Sequence, residues 1–167
     1  NNGREDQEAE QSQSRVRGRT ENDSGQKALA VMKEEQDKVV EKQIELTVIP
    51  APTYHEEKKA ARLLEMFKEE GLTDCHIDEY GNCVGIRKGT GGGKTTLVEG
   101  HMDTVFPLDT ELKIVREDGY IKCPGIVDDT RGCAAVLSTI RALKAAGIQN
   151  KGDLQFVGPV QGEGTAA

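Results

Sequence analysis

The spacing of apolar residues changes along this chain, and that change constrains the fold more than any other feature. Before Gly71 the apolar positions recur with a helical period, which predicts an amphipathic helix from Leu29 to Ile49 and another that begins at Thr53. After Gly71 the pattern changes to short runs typical of strands, with one more helical segment. The predicted strands are 75–79, 83–87, 95–101, 112–115, 120–123 and 154–158, and the later helix is 130–146. This order predicts an α/β layer fold.

The start of the second helix carries a recognisable signal. Thr53 and Glu56 have the T-x-x-E spacing of a capping box, in which each side chain accepts a backbone N–H of the first helical turn. Pro50 and Pro52 end the preceding helix, because proline removes a backbone donor and clashes with the previous turn.

The first segment of the chain differs from the rest in composition. Within residues 1–27 the only apolar side chains before Lys27 are Ala9 and Val16, too few to offset the entropy of ordering the segment. We therefore expect residues 1–27 to form a disordered or poorly packed polar tail, and residues 28–167 to form the folded part.

Charge and cysteine content exclude several classes of protein. The chain has 29 acidic and 22 basic residues and a net charge of −7, which argues against a nucleic-acid or anionic-membrane partner. No apolar run is long enough to span a bilayer, so we expect a soluble, cytoplasmic protein. The four cysteines lie far apart with no C-x-x-C pair, and we expect them to be reduced.

A glycine-rich segment, residues 89–95, suggests a phosphate-binding loop at first sight. The P-loop pattern, however, requires glycine where this chain has Lys88, and it requires a helix where this chain continues into a strand. A flexible turn between two strands fits the sequence better.

Acidic residues and one histidine at predicted strand ends are the candidates for chemistry. His101 and Asp103 are two positions apart, so a metal could bind one imidazole nitrogen while a carboxylate orients the ring. The alternative is a surface histidine with a polar neighbour. Asp128 and Asp129 precede the predicted helix, where one would act as an N-cap and the other could bridge two cations. Glu163 follows the last strand, and ligands gather at such ends in open α/β sheets.

These positions occur in an ordered set of motifs that resembles a known family. The set resembles the zinc-dependent exopeptidases and deacylases, which include peptidase T, carboxypeptidase G, acetylornithine deacetylase and succinyl-diaminopimelate desuccinylase. The matching segments are 49–53 (IPAPT), 80–84 (YGNCV), 100–105 (GHMDTV), 124–129 (PGIVDD) and 163–164 (EG), so the similarity runs from about Leu29 to Gly164.

The resemblance implies a three-layer αβα catalytic domain with two zinc ions, of which this chain is the N-terminal part. By motif, His101 would bind one metal, Asp128 would bridge both metals and Glu163 would be a further ligand, while Asp103 would orient His101. Asp129 would help to set the backbone turn. The resemblance also implies hydrolysis of peptide or amide bonds in small peptides or N-acyl amino acids, and a homodimer formed through a later domain.

Two departures from the family pattern affect the expected activity. Gly162 occupies the position of the glutamate that acts as general base, and glycine cannot accept a proton. The family's remaining acidic ligand and final histidine would lie beyond Ala167. We therefore expect this polypeptide by itself to bind zinc weakly and to hydrolyse peptides poorly, and Gly162→Glu to restore little activity in it. The alternative is a non-catalytic fragment or pseudoenzyme that acts as a binding module.

Overall fold

A computed structural model describes residues 23–164 of the 167-residue chain. It contains four helices and six strands in those residues. The helices are α1 (Asp23–Glu34), α2 (Gln36–Thr47), α3 (Glu57–Glu69) and α4 (Thr130–Ala145). The strands are β1 (Thr73–Ile77), β2 (Cys83–Arg87), β3 (Thr96–Glu99), β4 (Val115–Glu117), β5 (Tyr120–Lys122) and β6 (Leu154–Gly158). The predicted order of helices and strands is confirmed, except that two helices replace the first predicted one.

Four of the strands form one mixed sheet in the order β1-β2-β6-β3. The β1–β2 and β2–β6 pairs are antiparallel, whereas β3 and β6 are parallel. The parallel pair brings the carboxyl ends of β3 and β6 to the same edge of the sheet, which is the edge where His101 and Glu163 follow their strands. Strands β4 and β5 form a separate hairpin at the predicted turn, where Asp118 and Gly119 both have positive φ.

One face of the mixed sheet packs against α3 and α4. Side chains alternate between the two faces of a strand, and Phe156 and Cys83 point to the face that is covered by the helices. There they form the apolar core with Leu63 of α3 and Ile140 of α4. Leu97 alternates to the opposite face and is 53 % exposed. The α/β class is confirmed, and of the three layers that the resemblance implies, residues 23–164 supply the sheet and one helical layer.

The predicted helix over residues 29–49 is two helices rather than one. They meet at Glu35, whose backbone angles (φ −100°, ψ 14°) lie outside the helical range. The Glu35 carboxylate pairs with Arg141 of α4 and with Lys38, and these partners, Arg141 foremost, lower its pKa to about 2. Because both α1 and α2 pack against α4, the break follows from a tertiary contact that the periodicity cannot show.

The proposed polar tail falls mostly outside the described residues. Residues 23–27, the last part of that tail, belong to α1 and are mostly exposed. The helix therefore begins before the boundary that the composition indicates.

The glycine-rich segment connects β2 to β3, as the sequence predicted, and no helix follows it. A Cβ atom at Gly89 would lie 2.4 Å from the carbonyl oxygen of Gly152, and one at Gly93 would lie 2.3 Å from the Gly152 nitrogen. Gly89 and Gly93 thus permit two backbones to pass closely, whereas Gly91 and Gly92 have positive φ angles that favour glycine.

Among residues 23–164, none of the helices has the length and apolar character needed to cross a bilayer.

Candidate metal centre

The centre is built where the end of β3 meets the start of α4. A Cβ at Gly100 would lie 2.5 Å from the carbonyl carbon of Gly132, so glycine at position 100 lets the two backbones approach. The backbone N–H of His101 then donates to Asp129 Oδ2 at 3.0 Å. This contact fixes the backbone from which the His101 side chain projects.

The two ring nitrogens of His101 face different carboxylates. Nδ1 lies 3.2 Å from Asp103 Oδ1, and Nε2 lies 3.2 Å from Asp128 Oδ1. The ring is partly exposed, whereas Asp103 is fully buried and Asp128 is 75 % exposed at its side chain. Nδ1 also lies 3.2 Å from the backbone carbonyl oxygen of Asp103, its hydrogen-bond partner. With Nδ1 bound there, the lone pair of Nε2 is directed at the exposed side, where a cation could enter.

Asp103 is hydrogen-bonded on both of its oxygens. Oδ1 accepts the N–H of Gly162 at 2.7 Å, and Oδ2 accepts the N–H of Glu163 at 3.0 Å and the Thr53 hydroxyl at 2.8 Å. Burial would by itself raise the pKa of Asp103, but these hydrogen bonds together outweigh it, and the pKa is lowered. Asp103 is therefore an ionised carboxylate that contacts both His101 and the backbone of Glu163.

The capping-box prediction for Thr53 and Glu56 is wrong. Helix α3 begins at Glu57, with Glu56 as an N-cap whose side chain makes no capping hydrogen bond. Thr53 donates to Asp103 instead, and Glu56 Oε1 accepts the N–H of Gln161 at 3.1 Å. A buried carboxylate needs hydrogen-bond donors, and the Thr53 hydroxyl supplies one to Asp103.

The two adjacent aspartates have separate positions and contacts. Asp129 is the N-cap of α4 and accepts the N–H of Gly132 at 2.9 Å as well as that of His101. The prediction that one of the pair caps the helix is confirmed for Asp129. The Asp128 carboxylate instead faces His101 Nε2 across the exposed side of the site.

Glu163 completes the cluster from the loop that follows β6. One ligand atom each from His101, Asp128 and Glu163 lie within 4.8 Å of one another, so the expected convergence of the three is confirmed. One imidazole nitrogen and two carboxylate oxygens are a donor set that suits zinc and similar divalent ions. His55 and His76 do not belong to any such group within residues 23–164.

Gly162, the position that the resemblance assigns to a general base, lies against His101. A Cβ at this glycine would lie 2.5 Å from both Cβ and Cγ of His101, closer than real contacts allow. The loop as it stands has no room for a side chain at residue 162.

Three residues lie beside the centre although no sequence motif places them there. The pattern at Thr53 and Glu56 predicts a helix cap, and no motif includes Lys59, which is only 1 % exposed. Burial lowers the pKa of Lys59, while the nearby Cys133 and Asp103 act in the opposite direction. The spacing of Lys59 four residues before Leu63, on the apolar stripe of α3, was the one available signal.

Comparison with known proteins gives one consistent result. Residues 97–166 match the model of the Peptidase family M20/M25/M40. The chain is 32 % identical over 131 residues to the uncharacterized protein YqjE of Bacillus subtilis (strain 168), a match that covers 72 % of this chain and 35 % of that protein.

Two solved structures resemble this chain in both fold and sequence. Aminopeptidase PepT from Bacillus cereus ATCC 10987 superposes with a TM-score of 0.67 at 28 % identity, covering 77 % of this chain and 37 % of that one. A tripeptidase from Staphylococcus aureus superposes with a TM-score of 0.65 at 31 % identity, covering 76 % and 37 %. The chain spans little more than a third of the length of these relatives. The ordered motifs, the match of residues 97–166 to the family model and the fold shared with two peptidases agree: this chain resembles the peptidase family M20/M25/M40.

Proposed function

We propose that the protein to which this chain belongs is a zinc-dependent hydrolase of peptide or amide bonds in small substrates. The observation that carries the proposal is the convergence of His101, Asp128 and Glu163, with ligand atoms within 4.8 Å of one another at a partly exposed edge of the sheet. The match of residues 97–166 to the peptidase family M20/M25/M40 supports the same reaction class.

Each residue of the centre has a distinct part in this proposal. His101 offers Nε2 as a ligand, Asp128 offers a carboxylate that can bridge two ions, and Glu163 offers a third side chain. Asp103 holds the His101 ring and the Glu163 backbone in place. Zinc, when bound, would polarise a substrate carbonyl and lower the pKa of water. The complete site, in this proposal, binds two zinc ions.

The proposed substrates are small peptides or N-acyl amino acids. The similarity to a tripeptidase and to aminopeptidase PepT favours an exopeptidase acting on short peptides. A cytoplasmic location and a homodimer formed through a later domain stay predictions from the sequence.

One observation favours a second candidate, a non-catalytic binding module. Gly162 provides no proton acceptor, and a side chain there would collide with His101. A positioned general base typically contributes about 10²–10⁴-fold to the rate, so a chain without one could keep its metal and lose turnover.

The test measures metal binding and hydrolysis separately. Isothermal titration calorimetry with Zn²⁺ is expected to show binding. The His101→Ala variant should lose this binding, and the matched control His76→Ala should keep it. Assays with di- and tripeptides and N-acyl amino acids then decide between the two candidates, both on this chain and on a longer one. Zinc binding with no hydrolysis at either length would favour the binding module. Zinc binding that survived His101→Ala would contradict both.

A further inference from the structure

Four consecutive backbone N–H groups after β6 are all bound by side-chain oxygens. Val160 N–H donates to Asn82 Oδ1 at 3.0 Å, and Gln161 N–H donates to Glu56 Oε1 at 3.1 Å. The next two, from Gly162 and Glu163, donate to the two oxygens of Asp103 at 2.7 and 3.0 Å. We call residues 160–163 the ligand loop, because it ends at Glu163.

The acceptors come from three separate parts of the fold. Asn82 lies in the turn between β1 and β2, Glu56 at the start of α3 and Asp103 after β3. Glu56 is only 4 % exposed and Asp103 is 0 % exposed. The ionised Asp103 carboxylate makes stronger hydrogen bonds than a neutral acceptor, and burial keeps them weakly screened. With the contacts to Asn82 and Glu56, the ligand loop is held from three directions.

The Glu56 carboxylate has no evident role in its own helix. Glu56 is the N-cap residue of α3, yet its side chain makes no capping hydrogen bond. Its Oε1 instead reaches a residue 105 positions later in the chain. Gln161 has a φ of +58°, a left-handed conformation that non-glycine residues adopt only when their surroundings favour it. The hydrogen bond that the Gln161 N–H donates to Glu56 supplies such a constraint.

We propose that Glu56 is a positioning residue of the metal centre: by holding the Gln161 backbone, it keeps Glu163 within reach of His101 and Asp128. The proposal rests on the proposed ligand role of these three residues. Loss of the Glu56 contact would free Gln161 within the ligand loop, while Asn82 still held Val160 and Asp103 still held Glu163. Metal affinity would therefore fall without disappearing.

The experiment compares variants of Glu56 with a matched neighbour. Glu56→Ala removes the acceptor, Glu56→Gln keeps an oxygen acceptor without the charge, and Glu57→Ala removes the adjacent exposed carboxylate as the control. Affinity is read from the visible absorption of Co²⁺ as a probe ion, and thermal unfolding reports on the fold. Amide hydrogen exchange of Gln161 and Glu163, measured by NMR without metal, reports on the loop itself.

We expect Glu56→Ala to speed exchange at Gln161 and to weaken Co²⁺ binding about 10-fold. Glu56→Gln should recover most of the affinity, and Glu57→Ala should match the unchanged chain. If Glu56→Ala fails to fold, Glu56→Asp, whose carboxylate is withdrawn by one methylene, should show the same two changes to a smaller degree. Unchanged Co²⁺ affinity in a folded Glu56 variant with faster exchange, or an equal loss in Glu57→Ala, would overturn the proposal. If the chain without substitutions bound no Co²⁺, the proposed function would be overturned instead. The amide exchange rates would still decide whether Glu56 holds the ligand loop.

Discussion

Asp103 places its Oδ1 3.2 Å from Nδ1 of His101, and its Oδ2 receives the N–H of Glu163. One buried carboxylate thus orients two of the three proposed ligands. We expect Asp103→Asn to lower Zn²⁺ affinity about 10–100-fold, because such outer partners of metal ligands typically contribute that much. Competition with a chromophoric chelator measures the affinity. The exposed Asp109→Asn serves as the control, and equal affinities for the two variants would contradict the assignment.

The adjacent Asp128 and Asp129 should respond differently to the same change. Asp129 caps α4, so Asp129→Ala is expected to lower the free energy of unfolding by about 1 kcal/mol. Asp128 is 75 % exposed at its side chain and faces His101, so Asp128→Ala should leave unfolding nearly unchanged and weaken Zn²⁺ binding more than Asp129→Ala does. Urea unfolding without metal and zinc titration check the two halves of this prediction. A larger stability loss in Asp128→Ala would show that the roles are reversed.

Gly162 offers a test of the missing proton acceptor. A side chain there would lie 2.5 Å from His101 Cβ, so Gly162→Ala is expected to weaken Zn²⁺ binding in this chain about tenfold. Gly162→Glu carries the same steric cost and should restore little hydrolysis here. In a longer chain that supplies the family's remaining ligands, we expect Gly162→Glu to raise turnover.

The matched control for that rescue is Gly162→Gln, which has the same size and no basic carboxylate. Turnover that rose equally in the Glu and Gln variants would show that the gain does not come from proton transfer. Robust turnover by the chain with Gly162 unchanged would show that another residue accepts the proton.

The buried Lys59 should make stability depend on pH. Its pKa is lowered by burial from an ordinary value of 10.5, so the unfolded chain binds this proton more tightly than the folded chain. The contribution of Lys59 to stability is therefore fully present above pH 10.5 and is lost as the pH falls through the folded-state pKa. At pH 7 we expect Lys59→Met to raise the free energy of unfolding by about 1–3 kcal/mol.

The advantage of Lys59→Met should shrink as the pH approaches 10.5. Urea unfolding at a series of pH values, with the exposed Lys58→Met as the control, measures this difference. A stability gain that did not change with pH would show that apolar packing, rather than the buried charge, is responsible.

The sequence was sufficient to predict most of the order of helices and strands and the three residues whose side chains converge. Apolar period and glycine positions located α4 and the strand Leu154–Gly158 closely, because local backbone preference and burial of one face act over a few residues. His101, Asp128 and Glu163 could be selected because each follows or precedes an element boundary within a recognisable motif. The α/β class and the common edge of the site followed from this local information.

Only the tertiary structure decided which partners the polar residues around the site have. Thr53 and Glu56 match a capping box locally, yet they bind Asp103 and Gln161, 50 and 105 residues later in the chain. The Glu35 break and the burial of Lys59 likewise depend on neighbours from other elements. A short sequence pattern reports the hydrogen bonds that a residue can make within its own turn. Which bond forms depends on the buried carboxylates that packing brings near, since leaving those carboxylates unpaired would cost more than losing a side-chain cap.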